Sequence, residues 1–369
     1  MNAEKIDVAA LVRSDLRNME NYSVPFRRGR YKLDSNESPF GLPDALRRRL
    51  SAWLEDTKNL NGDLNLYPDS ENTRLRETLA KFWKVGPENV TCGVGSDQLI
   101  DGICRVFLEP GDVVVVPKPT FGMYAISARL NHGEVREVPI PVNDSENSDA
   151  GSSALADELV RAAAETRAKI LFLCSPNNPT GQSLTEEQLC TVAENARCVV
   201  VVDEAYGEFA ESTMIPRVGE YPNMIVLRTF SKAFALAGAR VGYAVASAGT
   251  IDALGLVKPP FNLPTLSQLL ATWAVEEAQE YASRVAYLNE RREELYRELK
   301  KIPWLTVSRS DANFLFVRSE RDIAALLEEK GIFVRACAGT SEFHNARITV
   351  GTAEQNGKVV ETLCGAGPM

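Results

Sequence analysis

KILFLCSPNNPTG, from Lys169 to Gly181, is an apolar run that stops abruptly at two prolines and two asparagines. Five consecutive large apolar residues without alternation fit a strand buried on both faces, and the Ser-Pro-Asn-Asn-Pro end fits a rigid turn that presents an amide side chain. The same design recurs on both sides of it. CVVVV from Cys198 ends in Asp203-Glu204-Ala205-Tyr206, and NMIVLR from Asn223 runs into Thr229-Phe230-Ser231-Lys232. Upstream, NVTCGV from Asn89 precedes Gly95-Ser96-Asp97, and DVVVVP from Asp112 precedes Thr120-Phe121-Gly122-Met123-Tyr124. Helical patterns such as DQLIDGICRVFL and TEEQLCTVAENA separate these runs, and ARVGYAVA follows the last. Alternating strands and helices argue for an α/β fold with a mostly parallel sheet covered by helices. After Pro264 the pattern shifts to long helical segments, then to DANFLFVR, RDIAALLEEKG, IFVRAC and ARITVGT, which read as a smaller α+β domain. The polar stretch VNDSENSDAGSS, residues 142–153, reads as a surface loop.

With 369 residues, 44% of them hydrophobic, the chain can bury an extensive core in about two domains. Its net charge of -9 disfavours nonspecific nucleic-acid binding. No apolar stretch approaches the roughly 20 residues of a membrane helix. The start MNAEKIDVAALV carries acids where a secretory signal carries bases, so a cytoplasmic protein is expected. The 7 cysteines form no C-x-x-C, which suggests neither a zinc site nor a disulfide framework, and no metal is expected. Only two histidines, His132 and His344, are present, without H-E-x-x-H or a facial triad, and G-x-S-x-G is missing. The chemistry therefore needs another nucleophile or base.

In open α/β sheets ligands bind beyond the carboxyl ends of the strands, so the strand ends are the candidate site. A lysine at the end of a core strand, Lys232, is placed to lose solvation and carry the neutral amine that bonds to an aldehyde carbon. Asp203 puts a carboxylate at the end of an apolar strand, where it would need a cationic partner. Gly95, Ser96 and Asp97 open a helix whose N–H groups suit a phosphate, with Ser231 and Arg240 as further donors. Together these fragments describe a phosphorylated aldehyde with a ring nitrogen, pyridoxal 5'-phosphate. Lys232 would hold the aldehyde, Asp203 the ring nitrogen, Asn178 and Tyr206 the ring hydroxyl, and Phe121 the ring face.

On these motifs the chain resembles the fold-type I aminotransferases, and more closely the histidinol-phosphate aminotransferase family. The resemblance is carried by Asp34-Ser35-Asn36-Glu37-Ser38-Pro39, Tyr67-Pro68-Asp69, Pro119 to Tyr124, Ser175 to Gly181, Asp203 to Tyr206, Ser231 to Gly238, and Arg347 to Thr352. It implies a seven-stranded, mostly parallel sheet between helices in a large domain, residues 47–263. Residues 264–369 would form the small domain, and 1–46 an arm contributing to it. It implies a homodimer in which Tyr67 reaches the cofactor phosphate of the neighbouring subunit. It also implies substrate contacts from Tyr22, Asn36, Arg335 and Arg347, the arginines as anion clamps, and a ping-pong exchange of an amino group between a small-molecule donor and a 2-oxo acid. The family commonly has tyrosine where this chain has Phe121, and N-E-N-P where it has N-E-S-P. An aromatic amino acid aminotransferase and a phosphothreonine-type decarboxylase share the Lys232 and Asp203 motifs and stay open as alternatives. A silent cofactor-binding regulator would need an additional DNA-binding module, and a dehydrogenase a glycine fingerprint that this chain lacks.

Overall fold

The computed structural model describes residues 6–17, 19, 23, 25–27, 29–56, 64–140 and 149–367. Its strands are β1 (Tyr31–Leu33), β2 (Val90–Val94), β3 (Val113–Lys118), β4 (Glu134–Pro139), β5 (Ile170–Cys174), β6 (Val199–Asp203), β7 (Met224–Thr229), β8 (Val241–Ala246), β9 (Thr306–Val307), β10 (Phe314–Ser319), β11 (Ile332–Cys337) and β12 (His344–Thr349). The expected mostly parallel seven-stranded sheet is present, in the order β2-β8-β7-β6-β5-β3-β4. Only β8 runs against its neighbours β2 and β7. The reason is the connection: residues 230–240 form a short loop with one 3-10 turn, too short for the crossover a parallel return needs.

Each central strand feeds two cores. Leu171 and Leu173 of β5 join one apolar cluster, whereas Ile170 and Phe172 join the other. This two-sided burial is why the strand sequences do not alternate. Helices α3 (Gly95–Phe107), α4 (Met123–Leu130) and α7 (Ala248–Gly255) cover one face. Helices α1 (Asp44–Glu55), α2 (Thr73–Trp83), α5 (Asp149–Thr166), α6 (Glu186–Asn195) and α8 (Thr265–Glu276) cover the other. Most of the loop expected at 142–153 lies outside the described residues, and α5 begins within its end. Helix α6 starts at Thr185, whose hydroxyl caps Gln188 while Gln188 returns a bond, the box that T-E-E-Q encodes.

The second sheet has the order β1-β11-β12-β10-β9, with β1 parallel to β11 and the remaining pairs antiparallel. Its core is completed by α9 (Ala278–Leu299), α10 (Ile323–Glu328) and α11 (Ala353–Gly365). The arm residues Tyr31–Leu33 thus belong to the smaller sheet. Helix α8 does not follow the sequence expectation of a boundary at 264: Ala271, Trp273, Ala274 and Val275 lie in the larger core. Its apolar face packs on α2, and the passage to the smaller unit runs along α9.

One ionic cluster braces the larger sheet below the strand ends. Arg228 on β7 is 2% exposed and bonds Glu204 through Nε at 2.9 Å and Glu208 through Nη1 at 2.9 Å, with its guanidinium 4.9 Å from the centroid of the Trp83 ring. Glu204 also accepts from Thr213 Oγ1 at 2.6 Å and from the Met214 N–H at 2.7 Å. Removing the cation alone strands a buried carboxylate. Arg228→Leu is therefore expected to lose about 3–5 kcal/mol of stability, read as a lower urea midpoint.

Candidate active site

The carboxyl ends of β2, β3, β5, β6 and β7 point to one edge of the sheet, and the reversed β8 begins at that edge. This is why Arg240, which precedes a strand, meets residues that follow strands. They enclose a cavity of about 390 Å³, a volume suited to a small ligand. Gly95, Ser96, Asp97, Phe121, Asn178, Asp203, Tyr206, Ser231, Lys232, Arg240, Arg335 and Arg347, all expected at the site from the sequence, line it.

Lys232 is half-buried and donates Nζ to the Ser35 carbonyl at 2.9 Å. Desolvation, followed by the nearby Arg347 charge, lowers its pKa to about 7, so a large share of the amine is neutral near neutral pH. Asp203 is 2% exposed and burial raises its pKa to about 6, against the bonds it accepts from Tyr124 Oη at 2.7 Å and the Ala205 N–H at 3.0 Å. Asn178 Oδ1 accepts from Arg347 Nη1 at 2.5 Å, which leaves the amide nitrogen as the donor. Tyr206 is buried, which pushes its pKa up to about 12 and keeps its hydroxyl a donor.

The opposite end of the cavity is built for an anion. At Gly95, φ is +69°, and its N–H donates to the Arg240 carbonyl at 3.0 Å, locking the start of α3 against the start of β8. A Cβ on Gly242 would lie 2.5 Å from the Ser96 nitrogen, so only glycine allows this approach. The first-turn N–H groups of α3 have no partner within the helix and, with Ser231 and Arg240, form a cup of donors. The Asp97 carboxylate is an acceptor and cannot itself bind a phosphate oxygen. It instead holds Arg240 Nη2 at 3.0 Å, orienting the guanidinium. This donor set, the lysine amine, the buried carboxylate and the Phe121 ring fit pyridoxal 5'-phosphate. Among the described residues no group of three or more His, Cys, Asp or Glu is placed to hold a metal ion.

Two expected residues, Asn36 and Tyr67, do not line this chain's cavity. Asn36 is fully buried, donating Nδ2 to Tyr206 Oη at 2.9 Å and accepting at Oδ1 from Thr349 Oγ1 at 3.1 Å. Its φ of 53° puts it in the left-handed region within the Asp34 to Pro39 motif, and its amide holds the Tyr206 hydroxyl. Tyr67 is 82% exposed, stacked on Phe261 with ring centroids 4.6 Å apart. Tyr22 lies outside the described residues. Sequence reasoning missed the Ser35 carbonyl and Tyr124. Tyr124 follows Phe121 by three residues, and a tyrosine beginning a helix at a strand end was the available signal.

The aminotransferase class I and II family profile matches residues 29–363. A histidinol-phosphate aminotransferase of Ruminiclostridium cellulolyticum is 40% identical over 96% of this chain and 98% of its own length. One from Pyrococcus furiosus is 36% identical over 96% and 97%. The crystal structure of histidinol-phosphate aminotransferase from Sinorhizobium meliloti in complex with pyridoxal-5'-phosphate superposes with a TM-score of 0.81 at 25% identity, covering 92% of this chain and 93% of that one. With the fold, the strand-end lysine and the family match in agreement, the chain belongs to the class I and II aminotransferases, enzymes dependent on pyridoxal phosphate.

Proposed function

We propose that the chain is a histidinol-phosphate aminotransferase, moving an amino group between L-histidinol phosphate and 2-oxoglutarate in histidine biosynthesis, as a cytoplasmic homodimer. The observation that carries the reading is the convergence of Lys232, Asp203, Arg347 and Arg335 on one cavity in a chain whose relatives, 36–40% identical over about 96% of it, bear that name. The exposed, stacked rings of Tyr67 and Phe261 suit contact with a second copy, with Tyr67 reaching its cofactor phosphate. Seven unpaired cysteines suit a reducing compartment.

When bound, pyridoxal 5'-phosphate supplies an electron sink that acidifies the Cα–H of a substrate amine. The protein supplies the rest. Lys232 Nζ, neutral above about pH 7, would take the Cα proton and return one to the cofactor's aldehyde carbon, two bonds from Cα. The Asp203 carboxylate would hold the ring nitrogen's proton, Asn178 and Tyr206 the ring hydroxyl, and Phe121 a ring face. The α3 N–H groups, Ser231 and Arg240 would hold the phosphate. Arg347 and Arg335, paired across β11 and β12, bind substrate anions, which lets one pocket serve a phosphate and a dicarboxylate.

The test is a half-reaction: histidinol phosphate, phenylalanine and glutamate are added separately to the loaded protein while its visible absorbance is followed. Histidinol phosphate and glutamate are expected to bleach the resting band. A response to phenylalanine with none to histidinol phosphate would replace this reading by the aromatic one. A pH prediction follows from the lysine. Because its folded pKa is depressed, the neutral amine grows about tenfold per unit up to about pH 7 and then levels. Uptake of the cofactor by the apoprotein should show that profile, and a rise continuing towards pH 10, the range of an ordinary lysine, would count against it.

A further inference from the structure

Behind the cavity, Tyr124 and Asp203 form a closed pair. Tyr124 is fully buried, and its hydroxyl donates to Asp203 Oδ2 at 2.7 Å. Its ring is held from two sides, stacked on Phe172 at 4.7 Å with planes 7° apart, and edge-on to Phe121 at 5.6 Å. A phenyl ring would pack here equally well, so the hydroxyl is present for something other than packing. Asp203, in turn, has Oδ1 bonded by the Ala205 N–H and Oδ2 by Tyr124, which fixes the rotation of the carboxylate and leaves one acceptor direction on each oxygen. The groups facing this carboxylate from the packed elements are Tyr124 of α4, Cys174 of β5, the adjacent Glu204, Tyr206 and Asp97 of α3. The two acids and burial oppose its charge, whereas the two hydrogen bonds favour it.

We propose that Tyr124 is a positioning residue for the reaction: its O–H aims the Asp203 carboxylate at the cofactor's ring nitrogen and holds that carboxylate in its charged form. The inference rests on the pyridoxal-phosphate reading of this site and adds a residue to it. The requirement is geometric. An aspartate free to rotate inside a dry pocket would spend part of its time bonded elsewhere, and a neutral one would compete with the ring nitrogen for the proton instead of retaining it there. Phe121, whose ring covers the cavity, and Tyr124, whose hydroxyl lies behind it, therefore act as a pair from one short stretch of chain.

The experiment uses the loaded full-length protein and Tyr124→Phe. Removing one hydrogen bond to a buried carboxylate is expected to weaken pyridoxal 5'-phosphate binding about tenfold. It should also move the acid transition of the cofactor's visible spectrum upward by about one pH unit, since the lost bond favoured the charged form. Turnover falls while KM changes little. On an Asp203→Asn background the same substitution should add nothing, because the two residues act as one unit. Phe172→Leu removes the stacking ring but keeps the hydroxyl, and should lower thermal stability with the spectral transition in place. Tyr124→Met, an adaptable side chain without a hydroxyl, carries the same test should the phenylalanine variant not fold. A folded hydroxyl-less variant with an unmoved transition and an affinity within about twofold of wild type overturns the inference. Failure of the wild-type protein to take up the cofactor would instead overturn the reading beneath it.

Discussion

Lys232→Ala is expected to lower amino-group transfer by at least about a thousandfold, the scale of a lost general base with no substitute. Neither histidine lines the cavity: His132 lies by Arg13 and Asp15 on the surface, and His344 begins β12. Asp203 is held by Tyr124 and Ala205, and the Asp97 carboxylate is held by Arg240. The other carboxylates lining the cavity are engaged, Asp34 and Glu37 both pairing with Lys32. The Tyr206 hydroxyl is kept protonated by burial. Lys232→Arg should fail equally, because a guanidinium keeps the charge but never offers a neutral amine. Both variants should still retain the cofactor, since the phosphate cup and Asp203 are untouched, so bound cofactor and turnover are measured on the same samples. Borohydride treatment of loaded wild-type protein followed by peptide mapping should place the covalent label on Lys232. Turnover of Lys232→Ala within about tenfold of wild type, or a label on another lysine, would remove the base from this account.

The strand ends were legible because each strand carries its own termination signal. Valines and isoleucines without alternation announce two-sided burial, and the polar residue that ends such a run must face the one open edge of the sheet. What stayed illegible depends on partners distant in sequence. β4, with Glu134, Arg136 and Glu137 among its residues, is an edge strand whose pattern of partial exposure does not resemble its buried neighbours. The reversed direction of β8 is decided by the short loop before it, and the place of α8 by a face that fits α2. Asn36 reads like a substrate ligand in its motif, yet its hydrogen bonds go to Tyr206, Thr349 and Asn313, residues 170 to 313 positions away. The Lys232 contact to Ser35 is hidden for the same reason: it joins a side chain to a backbone carbonyl 197 positions earlier, and carbonyl positions carry no sequence signal.

Arg347→Lys is expected to reduce kcat/KM about 10-fold to 150-fold for histidinol phosphate and for glutamate alike, although the charge is conserved. Arg347 is positioned before any ligand arrives: Nη1 donates to Asn178 Oδ1 at 2.5 Å, Nη2 to the Asp34 carbonyl at 2.8 Å, and the guanidinium lies 5.5 Å from the centroid of the Phe314 ring. Its Nε is buried without a partner among the described residues. The guanidinium lines the cavity, and Nη1 and Nη2, each using one N–H on the protein, keep a second N–H for a ligand's anionic oxygen. Lysine can place an ammonium nearby but cannot hold Asn178, span to Asp34 and present a directed N–H at once. A charge-assisted bond is worth about 1.5–3 kcal/mol and each 1.4 kcal/mol is about tenfold, which gives the range stated. Losing the Asn178 contact also frees the amide expected on the cofactor's ring hydroxyl, so the resting absorbance should change before substrate is added. Half-reactions with the two substrates read both effects. Equal loss for both identifies an anion clamp shared by the two halves of the reaction, whereas loss for one alone would assign Arg347 to a single substrate and leave Arg335 to serve the other.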